Sequence, residues 1–258
     1  FSPDGSLLAI GSMNGSRLWL ARTGDWKELP KTVPLSVTSL AFDPDGRRLA
    51  VATGDGLEIL ELRQGDGALA TPATDPFLKT IQRVSSPGCC SCALSRDGRY
   101  AAFADSAQRI QILEVQTGRA VPYSGPGLLY GWHALAFRST NELVFVAADG
   151  TLEVWDVTRN RQVKTIGEPG AFQSFHIAVS ADGRWAAAER TAERVALVDL
   201  EQGEIAWTFR EERGPVWSLA FSPDGRRLAV GLADGGLAVW NLDRVRTLID
   251  EVLAAPHG

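Results

Sequence analysis

The sequence predicts an all-β protein, a β-propeller whose blades are four-stranded antiparallel sheets. Two observations lead to this fold. A short turn signature, which reads FSPDG in its fullest form, recurs at intervals of 41, 52, 43, 42 and 42 residues. Around each copy, apolar strands and tight turns follow in the same order. A period of about 40–45 residues is typical of propeller blades and too long for leucine-rich or tetratricopeptide repeats.

The turn signature follows a strand that we predict to be the innermost of its blade. The clear copies begin at Phe1, Phe42, Leu94, Val179 and Phe221, and a degenerate copy, FRSTN, occupies 137–141. The preceding strands are predicted at 37–42, 89–94, 132–137, 174–179 and 216–221, and their next-to-last residue is always alanine. A small side chain repeated at one position suggests the crowded axis of the ring, where blades converge.

Three further strands complete each predicted unit. The second strand, for example 7–12, 48–53 or 227–232, is apolar on both faces, as expected for a sheet packed between two others. Asn-Gly or Asp-Gly often follows and favours a type I′ hairpin, although the fifth unit has Glu189 to Ala192 there instead. Third strands are predicted at 57–62, 110–115, 152–157, 195–200 and 237–242. More polar fourth strands, such as 161–166 and 204–209, suit the outer edge.

The two ends of the chain depart from the repeat. Residues 243–255 place apolar side chains at helical spacing, which predicts a short amphipathic helix. We therefore expect a propeller over 1–242 and a helix and tail over 243–258. Phe1 aligns with the last residue of an inner strand, so the chain is expected to be an N-terminally truncated fragment. The parent ring then has six blades or seven. The long interval predicts about ten extra residues near 65–82, as a surface insertion or a partner-specific loop.

Composition and charge limit the possible functions. The formal net charge is -5, with acidic residues interspersed among arginines, which argues against nucleic acid as the main ligand. No run approaches eighteen apolar residues, so no membrane insertion is expected.

Cysteine and histidine also indicate no metal or cofactor. Cys89, Cys90 and Cys92 share one apolar strand and are predicted to be small buried side chains, because no second ligand cluster exists. Unpaired thiols favour a reducing, cytoplasmic location. His133 and His176 align one residue apart in their strands, so they are expected to point to opposite faces.

These residues resemble the WD-repeat (WD-40) family. Trp155-Asp156 ends its third strand as the family name requires, and Trp240-Asn241 differs by one residue. The resemblance covers residues 1 to 242, and the repeats are most similar to those of the family's bacterial branch. It implies a non-catalytic scaffold for protein-protein interaction within a larger signalling or regulatory protein. The family's Gly-His pair is missing from every unit, so the hydrogen-bond network built on that histidine is not assumed here.

The candidate protein-binding face consists of loops that enter the inner strands and of hairpins between second and third strands. Its residues are Tyr130, Trp132, Phe172, Arg190, Arg210, Glu211 and Arg213. Aromatic and arginine side chains are the types that protein interfaces concentrate. We expect a protein partner or other domains of the parent chain, no catalytic residues, no cofactor and no metal. The alternative is a propeller that binds a small ligand or catalyses hydrolysis at the channel mouth.

Overall fold

The structure, a computed structural model, describes residues 1–12, 17–24, 28–29, 36–62, 78–130, 134–245 and 247. In these residues 22 strands form six antiparallel sheets of three or four strands each, which we number 1 to 6 along the chain. Consecutive strands pair within every sheet, so each is a simple meander. The predicted all-β propeller architecture is therefore confirmed.

The strand bounds of each sheet are as follows. Sheet 1 contains β1 (Leu7–Ser12), β2 (Arg17–Arg22) and β3 (Glu28–Leu29). Sheet 2 contains β4 (Val37–Phe42), β5 (Arg48–Thr53), β6 (Gly56–Leu62) and β7 (Leu78–Ser85). Sheet 3 contains β8 (Ser91–Leu94), β9 (Tyr100–Ala104), β10 (Ile110–Glu114) and β11 (Ala120–Val121). Sheet 4 contains β12 (Leu135–Phe137), β13 (Glu142–Val146), β14 (Leu152–Asp156) and β15 (Arg161–Ile166). Sheet 5 contains β16 (Ile177–Val179), β17 (Trp185–Thr191), β18 (Arg194–Asp199) and β19 (Glu204–Arg210). Sheet 6 contains β20 (Val216–Phe221), β21 (Arg227–Leu232) and β22 (Leu237–Asn241).

The first strands of sheets 2 to 6 are the inner strands. Each contacts the inner strand of the next sheet, in the order β4, β8, β12, β16 and β20, and β1 of sheet 1 contacts β4. The five inner strands line one open cavity. The sheets therefore follow one another around a common axis like the blades of a fan.

Neighbouring sheets pack face to face through two recurring residue patterns. The face of a sheet that meets the next sheet along the chain is called its forward face. In sheet 2 the forward face packs on sheet 3 and carries Ala50, Ala52, Leu57 and Ile59. The backward face meets the previous sheet; in sheet 2 it carries Leu49, Val51 and Leu60, which pack on sheet 1. All seven side chains are at most 1% exposed. The forward face pairs small alanines with bulky Leu57 and Ile59, and the named residues of the backward face are all bulky, which lets adjacent sheets interdigitate at close spacing.

The recurring turn signature forms a self-contained hydrogen-bonded loop. In sheet 6, the Ser222 hydroxyl donates to Asp224 at 2.5 Å and accepts from the Arg227 amide at 2.9 Å, while Asp224 accepts from the Arg226 amide at 3.0 Å. The glycine that follows, Gly225, has a φ of +66°, which explains why the position is glycine. The same bonds recur in the turns that start at Ser2, Ser95 and Ser180.

The aspartate that ends the third strand caps the next turn. Asp156 accepts hydrogen bonds from the amides of Thr158 and Arg159, each at 2.9 Å, and Asp199 does the same two and three residues further on. Asn241 fills this position in sheet 6 and accepts from the Asp243 and Arg244 amides. A side-chain oxygen placed two residues before a turn satisfies amides that the ladder leaves unpaired.

Arginine side chains join neighbouring sheets at the end of the ring that carries these turns. Arg48 of sheet 2 donates to the carbonyl of Gly98 in sheet 3, and Arg138 of sheet 4 donates to that of Leu200 in sheet 5, both at 2.8 Å. These contacts reinforce the apolar packing between sheets.

Some predicted elements differ in extent. β8 and β16 begin later than predicted, because Cys89 and Cys90 precede the ladder in sheet 3 and Ser174 precedes it in sheet 5. β12 begins at Leu135, and residues 132–133 of its predicted range lie outside the described residues. Residues 78–82 of the expected insertion belong to the outer strand β7, and 65–77 lie outside the described residues. Residues 242–245 and 247 are helical, as predicted, with the start at Leu242; the remainder of 243–255 is outside the described part. Among the described residues, the helical segment has neither the length nor the hydropathy that a membrane-spanning helix requires.

Candidate functional site

The cavity along the ring axis is the main concave feature that the inner strands create. It has a volume of about 390 Å³ and is lined by residues of β4, β8, β12 and β20 and by the start of β16. Most of the lining residues are apolar by type, such as Leu40, Leu135 and Leu219, and Ser39, Ser218 and His176 add polar side chains, so that polar and apolar surface contribute about equally. A volume in this range is typical of small-ligand pockets, in which a few polar groups fix the orientation of whatever enters.

His176 is held at this wall by a buried carboxylate. Its Nδ1 lies 2.9 Å from Oε1 of Glu189, whose side chain is 3% exposed, compared with 19% for His176. Glu189 is fixed further, because its Oε2 accepts the Phe175 amide at 3.1 Å and its own amide donates to the Ser174 hydroxyl at 3.1 Å. The buried carboxylate therefore orients the imidazole at the cavity wall.

Three aromatic side chains lie near His176 through the chain, a ring stack or the cavity wall, and one of them, Trp217, lines the cavity together with His176. Tyr130 precedes the first strand of sheet 4 and stacks on Phe175 of sheet 5, with ring centroids 4.2 Å apart and an angle of 18° between the planes. Phe175 is 43% exposed, although it is a large apolar side chain, and Trp217 at the start of β20 is 67% exposed. We call Tyr130, Phe175, His176 and Trp217 the channel-mouth cluster.

The structure distributes the predicted binding residues unevenly around this end of the ring. Tyr130 is half-buried and belongs to the channel-mouth cluster. Arg190 is half-buried and donates to the Ala171 carbonyl at 3.3 Å. Arg210 is exposed at the end of β19, and exposed Arg213 pairs with Asp234 of the sheet 6 hairpin at 3.2 Å. Trp132, like His133, lies outside the described residues.

Two residues of the predicted face are buried, so their expected surface position is wrong. Phe172 is 0% exposed, because its amide donates to the Gly150 carbonyl and Gly170 donates to that of Asp149. These bonds fold the loop back on the sheet 4 hairpin and turn the phenyl ring into the core between sheets 4 and 5. Glu211 is 8% exposed, and its amide is bonded to the Glu193 carbonyl. Neither side chain is placed to meet a partner.

Sequence reasoning missed Phe175, Glu189 and Trp217. The second residue of the inner-strand segment carried a usable signal: it is Thr38, Cys90 and His133 in three units but a large aromatic in two. Glu189 gave only an indirect signal: the fifth unit has Glu189 to Ala192 in place of the usual Asn-Gly or Asp-Gly, but this departure does not predict a carboxylate that bonds His176.

The three cysteines are buried and unpaired, which confirms the prediction of small buried side chains. Burial raises the pKa of the Cys92 thiol to about 11, so its reactive thiolate is scarce at neutral pH. Within the described ranges, no three Cys, His, Asp or Glu side chains converge to hold a metal ion.

Comparisons with family models support the WD-repeat resemblance at both ends of the chain. A model described as WD domain, G-beta repeat matches residues 203–241, and one described as anaphase-promoting complex subunit 4 WD40 domain matches residues 1–81. Proteins with this repeat generally act as protein-interaction scaffolds, and the propeller family is generally non-catalytic.

Similar proteins come mostly from eukaryotes. Telomerase protein component 1 of Mus musculus is 28% identical over 94% of this chain, and WD repeat-containing protein 3 of Homo sapiens is 29% identical over 43%. The chain spans only 11% and 12% of these relatives. An uncharacterized WD repeat-containing protein, sll1491, from the cyanobacterium Synechocystis sp. is 27% identical over 54% of the chain and 39% of its own length.

A solved structure supports the fold. The crystal structure of the Cps50 (Swd1) beta-propeller domain of Myceliophteria thermophila superimposes with a TM-score of 0.61 at 18% identity. The match covers 80% of this chain and 65% of that one.

Proposed function

We propose that this chain is a non-catalytic scaffold that binds a protein partner through the channel-mouth cluster, as one domain of a larger bacterial signalling or regulatory protein in the cytoplasm. In this proposal residues 1–242 form the propeller and 243–258 the terminal helix and tail. The partner is another protein or another domain of the parent chain, and neither nucleic acid, membrane insertion nor a cofactor is involved.

The exposed stack of Tyr130 and Phe175 is the observation that carries the proposal. Large aromatic side chains give protein interfaces most of their binding energy when a partner covers them. Phe175 is 43% exposed, yet its backbone amide donates to buried Glu189 and its ring stacks on Tyr130, so the ring is held in place before any partner arrives. A preordered aromatic loses little conformational freedom on binding.

The larger context rests on three further observations. The chain spans about a tenth of telomerase protein component 1, which supports a domain within a longer protein. The Synechocystis relative supports a bacterial source, and the buried, unpaired cysteines are consistent with a reducing compartment.

A matched pair of substitutions tests the proposed binding surface. Phe175→Ala removes the exposed ring at the channel mouth, and Trp207→Ala removes one of similar exposure, 37%, from outer strand β19. The wild-type chain is used as bait, and the affinity of the recovered partner is then measured by calorimetry. We expect Phe175→Ala to weaken binding about tenfold or more and Trp207→Ala to leave it nearly unchanged.

Circular dichroism of both variants controls for folding. Equal affinity of the two variants for the partner, with both folded, would contradict binding at the channel mouth.

The cavity favours a second candidate function, the binding of a small molecule. Its 390 Å³ accommodates a compact ligand, and Ser39, Ser218 and the carboxylate-oriented His176 supply hydrogen-bonding groups. A screen of metabolites by thermal shift distinguishes the two candidates. A ligand whose stabilising effect disappears in Ser39→Val would favour the small-molecule function over the scaffold.

A further inference from the structure

The outer edge of sheet 3 is only partly covered by its fourth strand. β11 spans two residues, whereas the outer strands of sheets 2, 4 and 5 span eight, six and seven. β11 pairs with Ile112 and Leu113 of β10 and ends at Val121. Among the described residues, the first half of β10 therefore has no strand beside it on its outer side.

The chain leaves this edge because the residues after β11 turn toward sheet 4. Pro122 has no amide hydrogen to donate, a property typical of the end of a strand. The ring of Tyr123 packs on that of Trp155 in sheet 4, with centroids 5.1 Å apart. The chain returns to sheet 3 at Leu128, whose amide donates to the Gln108 carbonyl at 2.9 Å. Packing on another sheet thus holds the gap beside β10 open.

Ile110 presents its backbone amide and carbonyl at this gap. Residues of a strand form hydrogen bonds alternately with one neighbouring strand and with the other. Glu114 donates to the Arg119 carbonyl at 2.8 Å on the outer side, so Ile112 and Ile110 face that side too. Ile112 pairs with Val121, but Ile110 has no backbone partner there in the described part of the chain. An extended peptide is a ligand that can bond to both groups at once.

A cavity of about 210 Å³ opens beside these groups. Most of its lining residues are apolar by type, and they include Ile110, Ala120, Val121 and Tyr123 as well as Val84 of β7 in sheet 2. Pockets for whole small molecules usually have about 300–1,000 Å³, so this smaller cavity suits a single side chain. A strand added to a sheet edge gains its specificity from side-chain pockets of this kind.

The surface around the gap is cationic, although the whole chain has a net charge of -5. Residues 78–121 contain six lysines and arginines but only three aspartates and glutamates. The side chains of Arg83, Arg99 and Arg109 are 69%, 58% and 75% exposed, whereas the carboxylates that pair with them are 8%, 26% and 5% exposed. An approaching partner therefore meets guanidinium groups first, and acidic side chains complement them.

We propose that the gap beside Ile110 and its cavity, together called the edge notch, form a second docking site that binds an extended acidic segment of a partner protein. The segment adds a short strand to β10 and bonds to the amide and carbonyl of Ile110. One of its apolar side chains fills the cavity, and its acidic residues face the surrounding arginines. The edge notch lies on the outer side of the ring, so this inference does not depend on binding at the channel-mouth cluster.

Selection of peptides tests which ligand the edge notch prefers. A phage library of short random peptides is depleted on a folded Ala120→Trp variant, in which the indole covers the notch, and is then selected on the wild-type chain. We expect the enriched sequences to carry an apolar residue flanked by aspartate or glutamate. The proposal is overturned if the wild-type chain enriches no peptide over the variant, or if the enriched peptides are basic or uniformly apolar.

Two matched pairs of variants locate the binding of an enriched peptide. Ala120 is exposed on β11, and by strand register Gln162 has the same position on β15 of sheet 4. Fluorescence anisotropy should show binding at least about tenfold weaker for Ala120→Trp and nearly unchanged for Gln162→Trp. Arg119→Glu, beside the notch, should weaken binding about fivefold at low salt, whereas Arg161→Glu makes the same charge change on β15 and should have little effect. Equal losses within either pair would place the peptide elsewhere.

Hydrogen exchange of the wild-type chain tests the backbone contact without any substitution. In the free protein we expect the amide of Ile110 to exchange faster than that of Glu114, which is already bonded. Saturation with an enriched peptide should slow exchange at Ile110 by at least about tenfold. A bound peptide that leaves this exchange rate unchanged adds no strand to β10, which would refute the proposal.

Discussion

Sheets 2 and 6 begin with almost the same sequence but differ in burial. Residues 37–51 and 216–230 differ at two of fifteen positions, Thr38 against Trp217 and Asp43 against Ser222. Ala50 is nevertheless fully buried in sheet 2, while its counterpart Ala229 is only half-buried. The two segments adopt the same strands and turn, so local sequence determines the conformation. What they bury is determined by the neighbouring sheet.

The largest effect that we expect from this comparison concerns the forward-face leucines. Leu57→Ala should lower the free energy of unfolding by about 2–5 kcal/mol, because it opens a cavity between sheets 2 and 3. Leu237→Ala removes the same atoms from a side chain that is 64% exposed and should cost less than about 0.5 kcal/mol. Urea unfolding of both variants measures the difference. Equal costs would show that burial on this face does not depend on the neighbour.

A smaller effect is expected from the glycines of the same face. A Cβ at Gly11 would lie 2.3 Å from Cγ1 and 2.7 Å from Cβ of Val37 in the next sheet. Gly11→Ala should therefore cost about 1–3 kcal/mol through overpacking. At Gly231 the nearest atom is the Ser218 hydroxyl of its own sheet, which can rotate away, so Gly231→Ala should stay within about 0.5 kcal/mol of wild type.

Thermal unfolding of both glycine variants checks this pair. A larger loss from Gly231→Ala than from Gly11→Ala would contradict an open face on sheet 6.

The stability that the turn after the third strand contributes should not depend on the neighbouring sheet. Asp156→Ala removes the acceptor for two turn amides and should cost about 1–2 kcal/mol. Asp156→Asn keeps an acceptor oxygen, as Asn241 does in sheet 6, and should cost less than half as much. Chemical unfolding of the two variants provides the test, and equal losses would mean that the charge of Asp156, rather than the turn bonds, stabilises sheet 4.

The smallest effect concerns the turn of the open sheet 6. The hydroxyl of Ser222 and then the Arg226 amide hold the pKa of Asp224 below its usual value. A lowered folded-state pKa stabilises the protein above the unfolded pKa of about 3.9, and this contribution disappears as pH falls through the folded-state pKa. The melting-temperature loss in Ser222→Ala should thus be larger at pH 7 than below pH 3. In an Asp224→Ala background, the loss should no longer depend on pH.

The fold could be predicted from sequence because the strands and turns of each unit are determined by residues within that unit. β4, β5, β20 and β21 match their predicted bounds, since the turn between them is fixed by side chains within the unit. The binding face could be predicted only in part. Phe172 was expected at the surface, but bonds to Asp149 and Gly150 of another loop turn it inward, and no pattern near Phe172 encodes that contact. Phe175 could have been noticed as one of two aromatics at this repeat position, but the sequence does not show that its ring is exposed or that it stacks on Tyr130.

The arginine contacts between sheets have a consequence for how such a chain can change over time. Arg48 and Arg138 reach across to carbonyl oxygens, which every amino acid possesses. The donating unit must keep its arginine, whereas a receiving residue such as Leu200 can change its side chain without losing the bond. Gly98 is the exception, because its φ of +65° and the nearby Arg48 guanidinium favour glycine. Substitutions can thus accumulate in the sheet that supplies the carbonyl without a matching change in the sheet that supplies the arginine. A repeat can diverge toward a new binding role while it stays attached to the preceding repeat.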